Sequence, residues 1–323
     1  MKPLTSIVFC SVFLAFAAHA SAVTMNWSYV GNPGNPNDPS MHGFSIGSVS
    51  YTYNIGTYDV TNNQYAEFLN TKDPTGANSL GLWNTFMANA IVGGITLNAG
   101  NPDGNKYSLI AGNENYPVSS VLWFEAIRFA NWLNNGQGNG DTETGAYTLL
   151  GGTPMPSNAH SITRNPGANV FLPSAFEWYK AAYYDPATSS YFQFPTSSNL
   201  LPIAGPPSPL PNHANYNNGA GTITSVGAYS GTTSPYGAFD MGGNIWQWTD
   251  TTTDGGFSRG IRGGTASSPA TDLLARTRDT DLASLQPEGM GFRVAEIPEP
   301  STLALAAFGF IGLAAWSWRR RMW

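Results

Sequence analysis

The sequence predicts an α+β fold with little regular secondary structure, and three observations carry that reading. The chain of 323 residues holds 36 Gly and 23 Pro, the residues of turns and loops. Charged residues are 11% and aromatics 13%. A disordered chain would be rich in charge and poor in aromatics, so these loops belong to a folded body. Three capped helical patterns stand among short apolar runs, without the strand–helix alternation of a parallel βαβ sheet.

Ser48–Ile55 reads as the first strand. Thr61 opens the first helix. Thr61-x-x-Gln64 is a capping box, in which each side chain accepts from the other residue's backbone N–H. Tyr65, Phe68 and Leu69 then form its apolar face. The second helix follows Pro117, with Ser119 or Ser120 as its cap. Leu122, Ala126, Phe129, Ala130 and Leu133 share one face, and Asn134-Asn135-Gly136 stops it. Phe171-Leu172 is a short strand before the third helix, which Ser174 caps with Glu177 as reciprocal partner. Trp178, Ala181 and Ala182 face inward from it. Thr196–Asn212 contains Pro202, Pro206, Pro207, Pro209 and Pro211 and reads as an extended surface loop. Ile245–Thr249, Arg259–Gly264 and Gly291–Ala295 are the last strands. No repeat of roughly 20–50 residues is visible, which argues against a solenoid or propeller.

The two ends read as addresses. Residues 1–22 form a secretory signal peptide: Lys2, an apolar stretch from Ile7 to Ala18, and the cleavage site Ala20-Ser21-Ala22. The mature chain then starts near Val23, and the secretion machinery and signal peptidase are implied partners. Cleavage removes Cys10, the one cysteine of the chain, and with it all thiol chemistry. At the other end, Pro298-Glu299-Pro300 precedes an apolar run over 303–318 and then Arg319, Arg320 and Arg321. That run is marginal for a bilayer core of about 30 Å at about 1.5 Å per helical residue. The arginines would hold the C-terminus in the cytoplasm and leave the body outside. Residues 297–321 resemble the PEP-CTERM sorting signal. The resemblance implies a Gram-negative exporter, processing by an exosortase near Pro298-Glu299-Pro300, a transient inner-membrane anchor, and delivery to the cell surface or extracellular matrix.

Between the ends lies one body, residues 23–296. The net charge of the chain is −6. Setting aside Lys2, the three tail arginines and Glu299 leaves 10 bases and 19 acids, a body near −9. Such a surface disfavours nucleic acid, which needs a Lys/Arg-rich face. Seven segments of the body line up in order: Ile55–Tyr65, Tyr116-Pro117-Val118 with Trp123, Phe171–Trp178, Ala214-Asn215-Tyr216, Gly242–Trp248, Arg262-Gly263-Gly264-Thr265 and Gly291-Phe292-Arg293. This series resembles the formylglycine-generating enzyme, or sulfatase-modifying factor, family over nearly all of residues 45–296. The resemblance implies an irregular C-type-lectin-like fold, in agreement with the α+β reading.

The family's oxygen-dependent enzymes bind copper through two cysteines after the Arg-Gly-Gly segment. Those positions fall here on Ser268 and Leu273. Neither is the soft thiolate that copper(I) wants, so no copper is expected and cysteine-dependent formylglycine generation is excluded. A related branch, the iron sulfoxide synthases of thiohistidine biosynthesis, needs a histidine triad. The mature chain has His42, His160 and His213, scattered and in loop-like sequence. The resemblance also implies structural calcium. One site would take carbonyls from Gly242, Gly243 and Ile245, with Gln247 at the family's acidic position. A second would begin at Asn215 and Tyr216. Calcium accepts amide and carbonyl oxygens, but losing the carboxylate weakens the first site.

Other signals are weaker. Gly151-Gly152, Gly242-Gly243 and Gly255-Gly256 lack the Lys-Ser/Thr of a phosphate loop and are turns. Asp240 and Asp250 flank an aromatic segment, but nothing fixes the separation a glycosidase pair needs. Arg276, Arg278 and Arg293 are expected to satisfy buried carbonyls or carboxylates, such as Asp240 or Asp279. Two functions remain. One is a non-catalytic binding or structural module on the surface or in the matrix, with exopolysaccharide or a surface glycan as ligand. The lectin-like fold, shared with the variable ligand-binding proteins of diversity-generating retroelements, points there. The other is an enzyme of cysteine-independent chemistry, with Ser267, Ser268, Asp272 and Arg278 lining the family's cleft.

Overall fold

The computed structural model describes residues 22–41, 43–285 and 288–298. Ala20, His42, Glu299, Pro300, the apolar run over 303–318 and Arg319, Arg320 and Arg321 lie outside the described residues. Among the described residues no helix is long and apolar enough to cross a membrane.

The chain starts with β1 (Trp27–Val30), β2 (Tyr53–Gly56) and α1 (Asn62–Lys72), followed by the hairpin of β3 (Ile95–Leu97) and β4 (Tyr107–Leu109). Next come α2 (Trp123–Asn134), β5 (Val170–Phe171) and α3 (Ala175–Tyr183). Two short pairs follow: β6 (Tyr184–Asp185) with β7 (Ser190–Tyr191), and β8 (Ile203–Ala204) with β9 (His213–Ala214). The last elements are β10 (Trp246–Thr253), β11 (Ser258–Arg262), β12 (Asp279–Leu282), β13 (Met290–Gly291) and β14 (Ala295–Glu296). Two four-stranded sheets organise them, in the orders β1-β2-β14-β5 and β12-β11-β10-β13. The first sheet closes the fold, because Ala295 pairs with both Ile55 and Phe171 and so joins the two ends of the body. The second pairs β10 antiparallel to β11 and parallel to β13.

The helices form for the local reasons the sequence supplies, with one correction. Thr61 and Gln64 cap α1 reciprocally, and Ser174 and Glu177 do the same for α3. At α2 the cap is neither Ser119 nor Ser120. Leu122 holds the N-cap position, and the Glu125 carboxylate accepts its N–H at 2.9 Å. The Ser119 hydroxyl instead accepts from the Gly289 N–H, and Ser120 adopts φ 62°. A second difference concerns the α2 surface. The sequence gives it one apolar face, yet every residue from Trp123 to Leu133 is buried. The helix runs through the interior, so its polar side chains need internal partners. Arg128 meets Glu143 at 2.7 Å and the carbonyls of Thr153 and Pro154, and Asn131 bonds Thr142 and Tyr147. Trp123, Trp132, Trp178 and Trp248 fill the core around it.

Two guanidinium groups, the half-buried Arg164 and the buried Arg293, tie these elements. Arg164 holds Glu177 bidentately at 2.9 and 2.7 Å and Asp250 at 2.7 Å, and it stacks over the Phe171 ring. It thereby joins β5, α3 and β10. Burial alone would raise the Glu177 carboxyl, but Arg164 wins and holds it below the usual range. Arg293 donates to Gln247 Oε1 at 2.7 Å, to Gly56 O at 2.8 Å and to Phe239 O at 2.9 Å, and it lies 3.0 Å from Asp59. This is the polar tie expected of Arg293, with Asp59 as the carboxylate rather than Asp240. Arg276 and Arg278 are exposed, and Arg278 lies over the Phe44 ring at 3.4 Å.

Replacing Arg293 with Met strands a buried carboxylate and several carbonyls. We expect a loss of about 3–5 kcal/mol in denaturant unfolding. Burial lifts the Asp59 carboxyl from 3.8 to about 7 against the pull of Arg293. Between those values the folded chain keeps a proton that the unfolded chain has lost, so this group makes stability fall as pH rises. Asp59→Asn should flatten that slope in melting curves across the window.

Candidate functional site

Three regions bear on function. The first follows β11, where Gly263 and Gly264 take φ values of 101° and 80° and turn the chain. The Thr265 N–H donates to Ser268 Oγ at 3.0 Å, and the Ser268 carbonyl accepts from the Asn217 N–H at 2.8 Å. Ser268 is therefore a buried turn-closing hydroxyl. Leu273 is fully buried against Phe194, Ala214 and Tyr216. The two positions expected for the family's cysteines thus hold a turn and a core contact. Ser267 is exposed and lines a shallow pocket of about 190 Å³ with Asn218, Thr222, Thr265 and Glu288. Ser268, Asp272 and Arg278 do not line this pocket; Asp272 and Ser268 pack around Gly264 instead.

The second region holds the calcium positions. Gly243 sits at φ 81°, its N–H donates to Gly263 O, and its carbonyl accepts from the Ile245 N–H at 2.9 Å. A Cβ on Gly242 would lie 2.5 Å from Pro195, so this turn is packed. Gln247 is fully buried. Its Oε1 accepts from Trp178 Nε1 at 2.6 Å and from Arg293 Nε at 2.7 Å, and its Nε2 donates to Asp240 O at 2.8 Å. With both donors on one oxygen and the nitrogen pointing the other way, Gln247 does not fit the role of a cation ligand. Asn215 differs. Its Nδ2 donates to Thr222 O and Asn244 Oδ1, while its buried Oδ1 has no hydrogen-bond partner. That oxygen is a fitting donor atom for a hard cation. The Tyr216 hydroxyl bonds Pro202 O at 2.6 Å and its carbonyl accepts from the Gly219 N–H.

The third region was not legible in the sequence. A polar cavity of about 630 Å³ opens between residues 22–26, the start of α1 and the 225–226 loop. Asn26, Tyr58, Asn63, Glu67, Asn115 and Ser225 line it, and Asp59 lies buried at its edge. Hydrogen bonds from Thr57 N to Asn26 O and from Val226 N to Asn115 O fix its walls. Tyr58 stacks on Phe239, and a Cβ on Gly227 (φ +70) would lie 2.7 Å from the Tyr58 ring. In the sequence Asn63 and Gln64 appear only as helix-start residues, and nothing local links them to Asn115 or Ser225.

The remaining titratable groups are committed elsewhere. Asp250 is raised by burial against Arg164 and accepts from the Tyr147 hydroxyl. Asp240 is also raised by burial, and it accepts from the Gly227 N–H. His160 stacks on Phe257 at 3.8 Å and His213 lies in β9. Among the described residues no group of three His, Cys, Asp or Glu is placed to hold a metal ion.

The core and the exposed side of this loop separate cleanly under mutation. Leu273→Ala should cost about 2–5 kcal/mol in denaturant unfolding, as a core truncation. Ser267→Ala, on the exposed side of the same loop, should stay within about 0.5 kcal/mol.

Comparison with known proteins fits this geometry. The chain is 28% identical over 205 residues to hercynine oxygenase of Mycolicibacterium smegmatis, covering 61% of this chain and 37% of that protein. It is 35% identical over 82 residues to hercynine oxygenase of Mycobacterium tuberculosis, covering 25% and 17%. The chain thus spans well under half the length of these curated relatives. Among solved structures, Treponema denticola variable protein 1 matches with a TM-score of 0.55 at 19% identity, over 86% of this chain and 97% of that one. CarF matches with a TM-score of 0.52 at 20% identity, over 85% and 99%. These likenesses are of fold. The PEP-CTERM protein-sorting motif matches residues 296–321. The sulfatase-modifying factor enzyme 1-like domain matches residues 44–297; the chain belongs to that family.

Proposed function

We propose that this protein is an exosortase-sorted, exported binding module, whose domain presents the polar cavity beside Tyr58 to a neutral polyhydroxylated ligand such as a matrix or surface glycan. The observation that carries the reading is the lining of that cavity: the amides of Asn26, Asn63 and Asn115, the Ser225 hydroxyl and the Tyr58 ring. Carboxamides offer donor and acceptor together, which suits vicinal hydroxyls, and an aromatic ring suits the apolar face of a sugar. A body near −9 disfavours an anionic polymer. Residues 303–318 serve as the transient inner-membrane anchor, with the body in the periplasm before its release to the surface or matrix. Calcium, if bound, sits at Asn215 rather than at Gln247.

The likeness to hercynine oxygenases supports a second reading, an enzyme of cysteine-independent chemistry. Glycan binding by calorimetry separates the two. We expect saturable binding of a neutral polysaccharide by the processed protein. The double change Asn63→Ala and Asn115→Ala should weaken it at least tenfold, with unfolding shifted by less than about 1 kcal/mol. Undiminished binding in the double variant, or none in the parent, would overturn the reading.

A further inference from the structure

We infer that the side-chain amide of Gln247 stands in for a divalent cation: its NH₂ group fills an electronegative hollow of backbone carbonyls, and it makes this turn of the domain cation-independent. The inference rests on the buried network alone and not on any ligand of the polar cavity.

Three observations build it. First, the amide orientation is fixed by its partners. Trp178 Nε1 and Arg293 Nε can only donate, so the oxygen of Gln247 must face them. The nitrogen must then face Asp240 O, which can only accept. Second, two more carbonyls lie in the neighbourhood of that nitrogen. A Cβ built on Gly263 would lie 3.5 Å from Gln247 Nε2, 3.2 Å from Met241 O and 3.7 Å from Ile245 O. The three groups therefore ring one small volume, next to Asp240 O. Third, the amide is out of solvent: Gln247 is 0% exposed, and the neighbouring Met241 and Ile245 are 1% and 0% exposed. An amide NH₂ supplies two polarised hydrogens and no net charge, which suits a dry hollow lined by carbonyl dipoles.

The chemistry changes if residue 247 is a carboxylate. One oxygen keeps the bonds from Trp178 and Arg293. The other then meets Asp240 O at hydrogen-bond distance with no proton between them. Asp59 already lies 3.0 Å from Arg293, so a second buried carboxylate would give that guanidinium two anions to balance. Relief requires a proton on the carboxyl or a hard cation among the carboxylate and carbonyl oxygens. The difference between Gln and Glu at this one position thus decides whether the turn needs calcium.

The test compares the full processed protein with Gln247→Glu and Gln247→Ala, by thermal melting in EDTA and in millimolar calcium chloride, and by calcium titration. In EDTA, Gln247→Glu should melt roughly 10 °C below the parent at neutral pH, and less far below at pH 5. Calcium should restore most of that loss and titrate to one more site than in the parent. Gln247→Ala should be destabilised equally in both media. Any calcium response of the parent, from Asn215 or elsewhere, should persist unchanged in Gln247→Ala. The inference is overturned if Gln247→Glu is as unstable in calcium as in EDTA. It is equally overturned if the parent has a calcium response that Gln247→Ala abolishes, because Gln247 would then be a ligand itself. Should Gln247→Glu fail to accumulate, the comparison of the parent with Gln247→Ala still decides between a substitute and a ligand.

Discussion

Arg293 is fully buried and touches four separate parts of the chain: Gly56 in β2, the Asp59 carboxylate, the Phe239 carbonyl and the Gln247 amide in β10. Through Gln247 it reaches Trp178 in α3. A guanidinium presents its donors in a fixed planar fork, so it sets the relative position of whatever accepts from it. The rest of the fold depends on this constraint, because neither sheet is large enough to define the body alone. The strand β14 that closes the first sheet has two residues, and it follows Arg293 by two positions. Once the guanidinium is seated, Ala295 falls opposite Ile55 and Phe171.

The same economy of regular structure explains the amides elsewhere. A loop-rich interior carries many backbone groups that no ladder satisfies, and each must find a partner. Asn62 bonds the carbonyl of Asn113, Asn131 those of Thr142 and Tyr147, and Asn244 both the N–H and the carbonyl of Thr224. Neutral side chains with a donor and an acceptor do this without the desolvation cost of a charge. Arg128, Arg164 and Arg293 each face a carboxylate, while the buried Arg259 lies over the Trp123 ring. A composition of 11% charged residues is what such a design looks like in sequence.

This scaffold separates support from chemistry. The Gly263-Gly264 turn, the Asn244 hub and the buried tryptophans keep the loops in place. The two positions expected for the family's copper ligands are a turn-closing Ser268 and a core Leu273. A loop platform of this kind presents side chains in fixed positions. The polar cavity beside Tyr58 is formed by the other end of the same framework, where α1 begins and the chain enters the fold.

The sequence by itself determined the fold class, the C-terminal sorting motif and the caps of α1 and α3. Each of these is written in contiguous residues or in composition, where a local physical rule suffices. The seven ordered segments carried the family, because each is a short contiguous pattern that can be read without its tertiary neighbours. Tertiary structure alone decided the rest. Ser119 and Ser120 look like caps for α2, yet packing against Gly289 took one and a positive φ the other, leaving Glu125 to cap the helix. Gln247 looks like a weakened cation ligand, and only the convergence of Trp178, Arg293 and the Asp240 carbonyl shows its amide turned the other way. The polar cavity gathers residues from positions 22 to 226, and its walls meet only when the long loops fold back. Such groups are assembled by contacts far apart in the chain, and no local pattern in the sequence records them.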